Sequence, residues 1–176
     1  MVQSKRRPCA PLVALLAWLT FASLQAQSPA DKNADHGAWL TMGVGVGTIS
    51  TCAQSYCGIN ALGPGGVVDL SYQRGRNLIS VRTAGTSAID HDFGQGYYDA
   101  SLLIGRATGL KPIHAAFSIG VGRAWRTNHS PSFGLSTVAR VAARTATGGL
   151  GLYGFWLVGR NQFGGLALVL NVGKLR

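Results

Sequence analysis

Along most of the chain apolar residues alternate with small or polar ones. A repeat of two marks strands whose two faces meet different surroundings. The stretch WLTMGVGVGTIS, residues 39–50, shows it most plainly. Leu40, Met42, Val44 and Val46 share one face, and Gly43, Gly45 and Gly47 share the other. Eight alternating segments can be drawn, at 38–50, 65–74, 77–85, 96–107, 112–124, 133–144, 149–160 and 163–174. Most approach the ~9–11 residues that a tilted strand needs to cross a bilayer. No segment carries a helical stripe.

The connections differ by side. Those after the first, third and fifth segments are long: 51–64, 86–95 and 125–132. Those between are short: Gly75-Arg76, 108–111 and 145–148. Short turns on one rim and longer loops on the other characterise transmembrane barrels. The last link, Asn161-Gln162, is short and breaks this order.

Register sharpens the reading. A two-residue hairpin turn at Gly75-Arg76 opposes Val68 with Thr83, Leu70 with Val81 and Tyr72 with Ile79, an apolar face. The other face then opposes Asp69 with Arg82, Ser71 with Ser80 and Gln73 with Leu78. A slip by one residue would scramble both faces. Centring the next hairpin between Asp90 and His91 also opposes Arg82 with Asp99, giving a lateral row Asp69–Arg82–Asp99. A two-residue turn at Asn161-Gln162 opposes Phe155 with Leu168 and Tyr153 with Leu170, and places Trp156 over Ala167 on the inner face. In the fifth segment Ala115, Phe117, Ile119 and Val121 share one face, and His114, Ser118, Gly120 and Gly122 the other.

The in-strand polar residues Asp69, Arg82, Asp99, Ser118 and Arg140 sit opposite the strongest apolar stripes. That is the pattern of a barrel with lipid outside and polar groups inside. A soluble calyx would show the reverse. Eight strands enclose a space just wide enough for side chains, so glycines on one strand would make room for large residues on others. The predicted fold is therefore all-β: an eight-stranded antiparallel up-and-down transmembrane β-barrel over 38–176, preceded by a cleavable signal peptide.

Composition fits this reading. Glycine numbers 25 of 176 residues, about twice the usual share, and only 12% of residues are charged. The N-terminus, MVQSKRR followed by the apolar PLVALLAWLTFASLQA, reads as a secretory signal at 1–26. An uncleaved anchor is the alternative. A polar lead-in follows at 27–37. Removing the signal leaves thirteen basic residues against six acidic ones, and no glutamate. Cys52 and Cys57 also remain, in TCAQSYC, and an even count in an exported chain suggests one local disulfide; two free thiols are the alternative.

Most basic residues fall at strand ends: Arg74, Arg76, Arg106, Lys111, Arg144, Lys174 and Arg176 at the short-turn rim, Arg123, Arg126 and Arg160 at the loop rim. Asp90 and Asp92 offset the second group. Such rings can snorkel to lipid phosphates. A nucleic-acid surface would instead cluster the charge on one face, so no nucleic-acid partner is expected. Trp39, Tyr72, Tyr97, Tyr98, Trp125 and Phe133 lie near segment ends, as interfacial girdles do.

Asp69, Arg82 and Asp99, with Arg140 from across the lumen, form the most specific polar constellation. It reads as a charge network filling the core, each charge paired because a lone buried charge is costly; a selectivity or gating cluster is the other reading. His91 between Asp90 and Asp92, and His129 beside Ser130, carry neither metal-site spacing nor triad geometry. GVGVGTIS lacks the lysine of a phosphate loop. No catalytic, cofactor-binding or metal residue is assigned.

On the signal peptide, the eight amphipathic segments, the asymmetric connections and the final strand GGLALVLNVGKLR, the chain resembles the small outer-membrane β-barrel proteins of Gram-negative bacteria. The resemblance spans about 38–176 and implies residence in the outer membrane, the lipid bilayer as surroundings and the barrel-assembly machinery as partner. Such families usually end on an aromatic residue; this chain ends on Lys174-Leu175-Arg176. The expected function is a non-enzymatic integral barrel, structural or surface-interacting through loops 51–64, 86–95 and 125–132 toward an extracellular partner. The alternatives are a secreted or periplasmic ligand-binding barrel and a lipid-modifying enzyme.

Overall fold

The alternating segments become eight strands: β1 (His36–Ala53), β2 (Tyr56–Arg74), β3 (Asn77–Ser87), β4 (Gly96–Leu110), β5 (Ile113–Arg126), β6 (Ser132–Arg144), β7 (Gly148–Gly159) and β8 (Asn161–Gly173). The structure, a computed structural model, describes residues 36–53, 56–87, 96–110, 112–126, 130–145, 147–159 and 161–173. The signal segment 1–26, most of the lead-in, and His91, His129 and Arg160 lie outside the described residues.

Each strand pairs antiparallel with its neighbours in chain order, and β1 closes the sheet on β8. Closure leaves no unpaired edge within the wall, which hydrocarbon surroundings would not tolerate. The two-residue turn at Gly75-Arg76 holds as expected, with Asp69 opposite Arg82 and Leu70 opposite Val81. Gly75 takes a φ of 59°, the left-handed conformation that favours glycine at such a turn.

The inward glycines of β1 have a specific cause. A Cβ on Gly43 would meet the Leu168 carbonyl oxygen at 2.5 Å and the Val169 side chain at 2.5 Å. A Cβ on Gly45 would run into the Leu166 carbonyl and the Ala167 backbone. These glycines let the backbones of β1 and β8 close tightly, more than they clear space for distant side chains.

Three expectations need correcting. First, 51–64 is no loop. β1 and β2 continue their ladder to Ala53 and Tyr56, with a register shift between Ile49 and Ser50. β1 shares its last pair with β8 at Thr51, and β2 meets β3 only from Gly65 onward. The paired hairpin therefore overhangs the wall. Beyond the wall there is no lipid-versus-lumen difference to impose alternation, so hydrophobic pattern could not reveal these strands.

Second, β4 is shifted by two residues against the expected register. Arg82 lies opposite Ser101, and Asp99 opposite Ala84. An even shift keeps every face, but Asp69, Arg82 and Asp99 do not form a lateral row. Third, β7 and β8 pair Phe155 with Gly165, Trp156 with Gly164 and Tyr153 with Ala167. The offset from the expected register is odd, so one strand turns over: Phe155 and Tyr153 face the lumen and Trp156 faces out. The reason is that β7 is apolar on both faces. Tyr153, Phe155 and Leu157 line one, and Leu152, Trp156 and Val158 the other. Alternation could not say which met lipid.

Candidate functional site

The two faces of the wall differ sharply. Outward positions carry Val44, Leu70, Ile79, Ile104, Val121 and Leu168, each more than half exposed. Inward positions bury Asp69, Arg82, Asp99, Arg140, His114 and Asn171, each at most 4% exposed. Strand alternation alone delivers this inversion, since the same pleat sends one residue out and the next in.

The lumen is stacked in layers. Near the short-turn end Trp39 meets His114 edge-on, with ring centres 5.2 Å apart. His114 Nε2 lies 3.4 Å from Gln73 Oε1, and Gln73 Nε2 donates to the Gly75 carbonyl at 2.6 Å. Leu78, Ala107 and Ala116 complete this apolar floor. Thr41 Oγ1 donates to Asn171 Oδ1 at 2.6 Å.

The charges occupy the middle. Arg140 reaches across from β6 to Asp69 on β2, Nη1 to Oδ1 at 3.3 Å, and also donates to Ser71 Oγ at 2.9 Å. Asp69 further accepts from Tyr153 Oη at 2.7 Å and from Ser71 Oγ. Arg82 pairs with Asp99, and its Nη2 donates to Ser101 Oγ at 3.0 Å. Asp99 Oδ1 accepts the Ala84 backbone N–H at 3.1 Å. The Arg82 guanidinium lies 4.7 Å from the Phe155 ring centre, and that of Arg140 lies 5.0 Å from Trp39. The four residues named from sequence are thus brought together as two buried ion pairs, Asp69–Arg140 and Arg82–Asp99. Ser71, Ser101, Tyr153 and Phe155 join them. Alternation does not single out Tyr153 and Phe155, because both faces of β7 are apolar, and it puts Ser71 inward without giving it a partner.

Tyr97 and Phe163, toward the loop rim from the charges, belong to one buried apolar cluster, which Leu103 and Phe155 carry down beside the ion pairs. Phe155 and Phe163 pack with ring centres 5.3 Å apart. The Arg126 guanidinium sits 5.2 Å from the Tyr97 ring centre. An apolar layer therefore lies on each side of the ion pairs.

Of the aromatic residues expected at the interfaces, Tyr72, Tyr98, Trp125 and Phe133 face outward, but Trp39 and Tyr97 are buried in the lumen. Position near a strand end does not decide a face; parity does. Three outward glycines are covered by aromatic rings. Tyr98 lies over Gly85 and Gly96, and Trp156 over Gly164. Cys52 stands directly opposite Cys57 in the β1–β2 ladder. Among the described residues no group of three or more His, Cys, Asp or Glu could hold a metal ion.

The chain matches no protein-family model and no curated protein. Solved structures do resemble it. Neisserial surface protein A aligns with a TM-score of 0.59 at 13% identity, over 77% of this chain and 98% of its own. Ail, the attachment invasion locus protein of Yersinia pestis, solved in complex with the heparin analogue sucrose octasulfate, aligns at 0.54 and 10% identity, over 78% and 99%. The outer membrane protein OprG from Pseudomonas aeruginosa aligns at 0.53 and 7%, over 83% and 100%. Closed topology, inverted faces and these likenesses together give the chain the fold of the small eight-stranded outer-membrane β-barrels of Gram-negative bacteria.

Proposed function

We propose that the mature chain is an integral, non-enzymatic barrel of the outer membrane that works at the cell surface through its loop rim. The observation that carries this reading is the inversion of the wall: two buried ion pairs inside, and an apolar belt outside. In water that belt would be a very large exposed apolar surface, far beyond the few hundred Å² usual for a soluble monomer. In a bilayer it is the solvent-matched face. A ligand-binding calyx needs an apolar cavity, and this lumen holds arginines and aspartates between packed apolar layers.

The loop rim is where a partner would meet it. Short turns face the periplasm and longer connections the exterior in such barrels, so the β1–β2 overhang projects outward from the cell. Arg123 and Arg126 stand at the same rim. Ail was solved with a polyanionic sugar, and a basic outer rim suits an anionic surface partner here as well. The ion pairs serve as a structural filling of the lumen.

Fractionation with protease accessibility tests the reading. Cells expressing the full chain should carry it in the outer membrane, in a form whose gel mobility changes on boiling. Protease added to intact cells should cut near 54–55 or 127–131. Recovery as a soluble periplasmic protein, or cleavage confined to Gly75-Arg76 and the other short turns, would contradict it.

A further inference from the structure

Arg140 is only half used by its ion pair. Its Nη1 donates to Asp69 Oδ1 at 3.3 Å and to Ser71 Oγ at 2.9 Å. Its Nε and Nη2 have no hydrogen-bond partner, although the side chain is only 4% exposed. Those two atoms share one edge of the planar guanidinium, where their N–H bonds run parallel as a fork. A buried charged donor left unpaired is costly, so this fork calls for a ligand.

Its surroundings are donors too. Trp39, Ser71 and Ser80 stand side by side on the inner faces of β1, β2 and β3. Arg140 reaches Ser71 in the middle of that row, and its guanidinium lies 5.0 Å from the Trp39 ring centre. On either side of Ser71, Trp39 Nε1 and Ser80 Oγ are buried without a hydrogen-bond partner. Indole and guanidinium N–H groups can only donate. Among the described residues no buried Asp, Asn or Gln side-chain oxygen is left without a partner. The shortage in the lumen is therefore of acceptors. Water accepts hydrogen bonds but brings two hydrogens that need acceptors of their own. A halide ion only accepts.

We propose that the lumen binds one halide ion, chloride in its natural surroundings, between the Nε–Nη2 fork of Arg140, the Trp39 indole N–H and the Ser80 hydroxyl. Contacts from a charged donor are the strong ones, and a low-dielectric interior strengthens them further. Asp69 does not forbid the ion. It binds Arg140 through Nη1, off the fork, and it stands between two arginines, bonded to Arg140 and paired across the ladder with Arg82. Between Trp39 and Leu103 the row carries only two small side chains, Ser71 and Ser80. A single-atom anion suits the narrow lumen of an eight-stranded barrel better than a phosphate does. The site goes beyond the surface role proposed above and concerns the lumen alone.

Bromide, a heavier halide that quenches indole fluorescence on contact, tests this. The barrel is folded from urea into an uncharged maltoside detergent at rising bromide, with gluconate holding the ionic strength constant. The gel shift on boiling checks that each sample is folded. A variant that keeps Trp39 as its only tryptophan should be quenched along a saturable curve, and chloride should reverse it. A variant that keeps only Trp156, on the outer face, should show no saturable part. Ser80→Ala should raise the bromide needed for half-quenching of Trp39 roughly tenfold, as expected for losing one hydrogen bond to an ion. Ser136→Ala, on β6 four residues from Arg140 toward the loops, should leave it unchanged. Absence of saturable quenching in the folded Trp39 variant, failure of chloride to compete, or the same midpoint in Ser80→Ala would overturn the proposal. So would an equal shift in Ser136→Ala.

Discussion

Single residues carry the energetics of the lumen. Arg82 is wholly buried against Asp99 and Ser101, and removing it strands a buried carboxylate. Arg82→Ala should destabilise the folded barrel by about 3–5 kcal/mol. Arg76→Ala, in an exposed turn, should change stability by about 0.5 kcal/mol or less. Urea unfolding in lipid vesicles, followed by tryptophan fluorescence, measures both; equal midpoints would contradict the network described here. Gly45 is sensitive for a different reason. Any side chain there presses on the backbone of β8, so Gly45→Val should weaken closure by about 1–3 kcal/mol and lower the temperature at which the boiling shift occurs. The identities of Asp69, Arg82, Asp99 and Arg140 as inward charges were legible from sequence, because an ionisable residue inside an apolar alternation has only one tolerable face. Their partners were less so. Which arginine meets which aspartate depends on shear across the barrel, and Asp69 takes Arg140 from the far wall rather than Arg82 beside it.

At the scale of elements, the sequence pattern read well wherever the two faces of a strand differ in polarity. β2 and β3 pair in the expected register, because Asp69, Gln73 and Arg82 label the inner face and Leu70, Tyr72 and Val81 the outer one. The pattern read poorly in β7, where both faces are apolar, and in the overhanging hairpin, where neither face meets lipid. That hairpin brings Cys52 opposite Cys57. Directly opposed strand residues lie ~4.5–5.5 Å apart at Cα, inside the ~4.4–6.8 Å window for a disulfide. We therefore expect an intramolecular disulfide in the exported protein. Its intact mass should be lower by two hydrogens than that of the reduced protein, and no thiol should react with a maleimide under denaturing conditions without reductant. Two reactive thiols in freshly isolated outer membranes would contradict this.

At the scale of the whole molecule, the wall and the lumen make opposite statements about their surroundings. Buried apolar side chains pack the lumen on both sides of the ion pairs, Trp39 and Leu78 toward the short turns and Tyr97 and Phe163 toward the loops. The purified barrel in planar bilayers should accordingly show no steady porin-like conductance; long-lived, well-defined open steps in the wild type would mean that these layers part. The wall presents its apolar face to lipid. Two tryptophans on opposite faces report on it directly: Trp156 is 37% exposed on the outside, and Trp39 is 2% exposed in the lumen. The decisive measurement is fluorescence quenching by brominated lipids in vesicles, with single-tryptophan variants that retain either Trp156 or Trp39 and carry phenylalanine at the other tryptophan positions. An outward apolar wall in lipid should give strong quenching of Trp156 and little of Trp39. Quenching of Trp39 with Trp156 spared, or of neither, would contradict it.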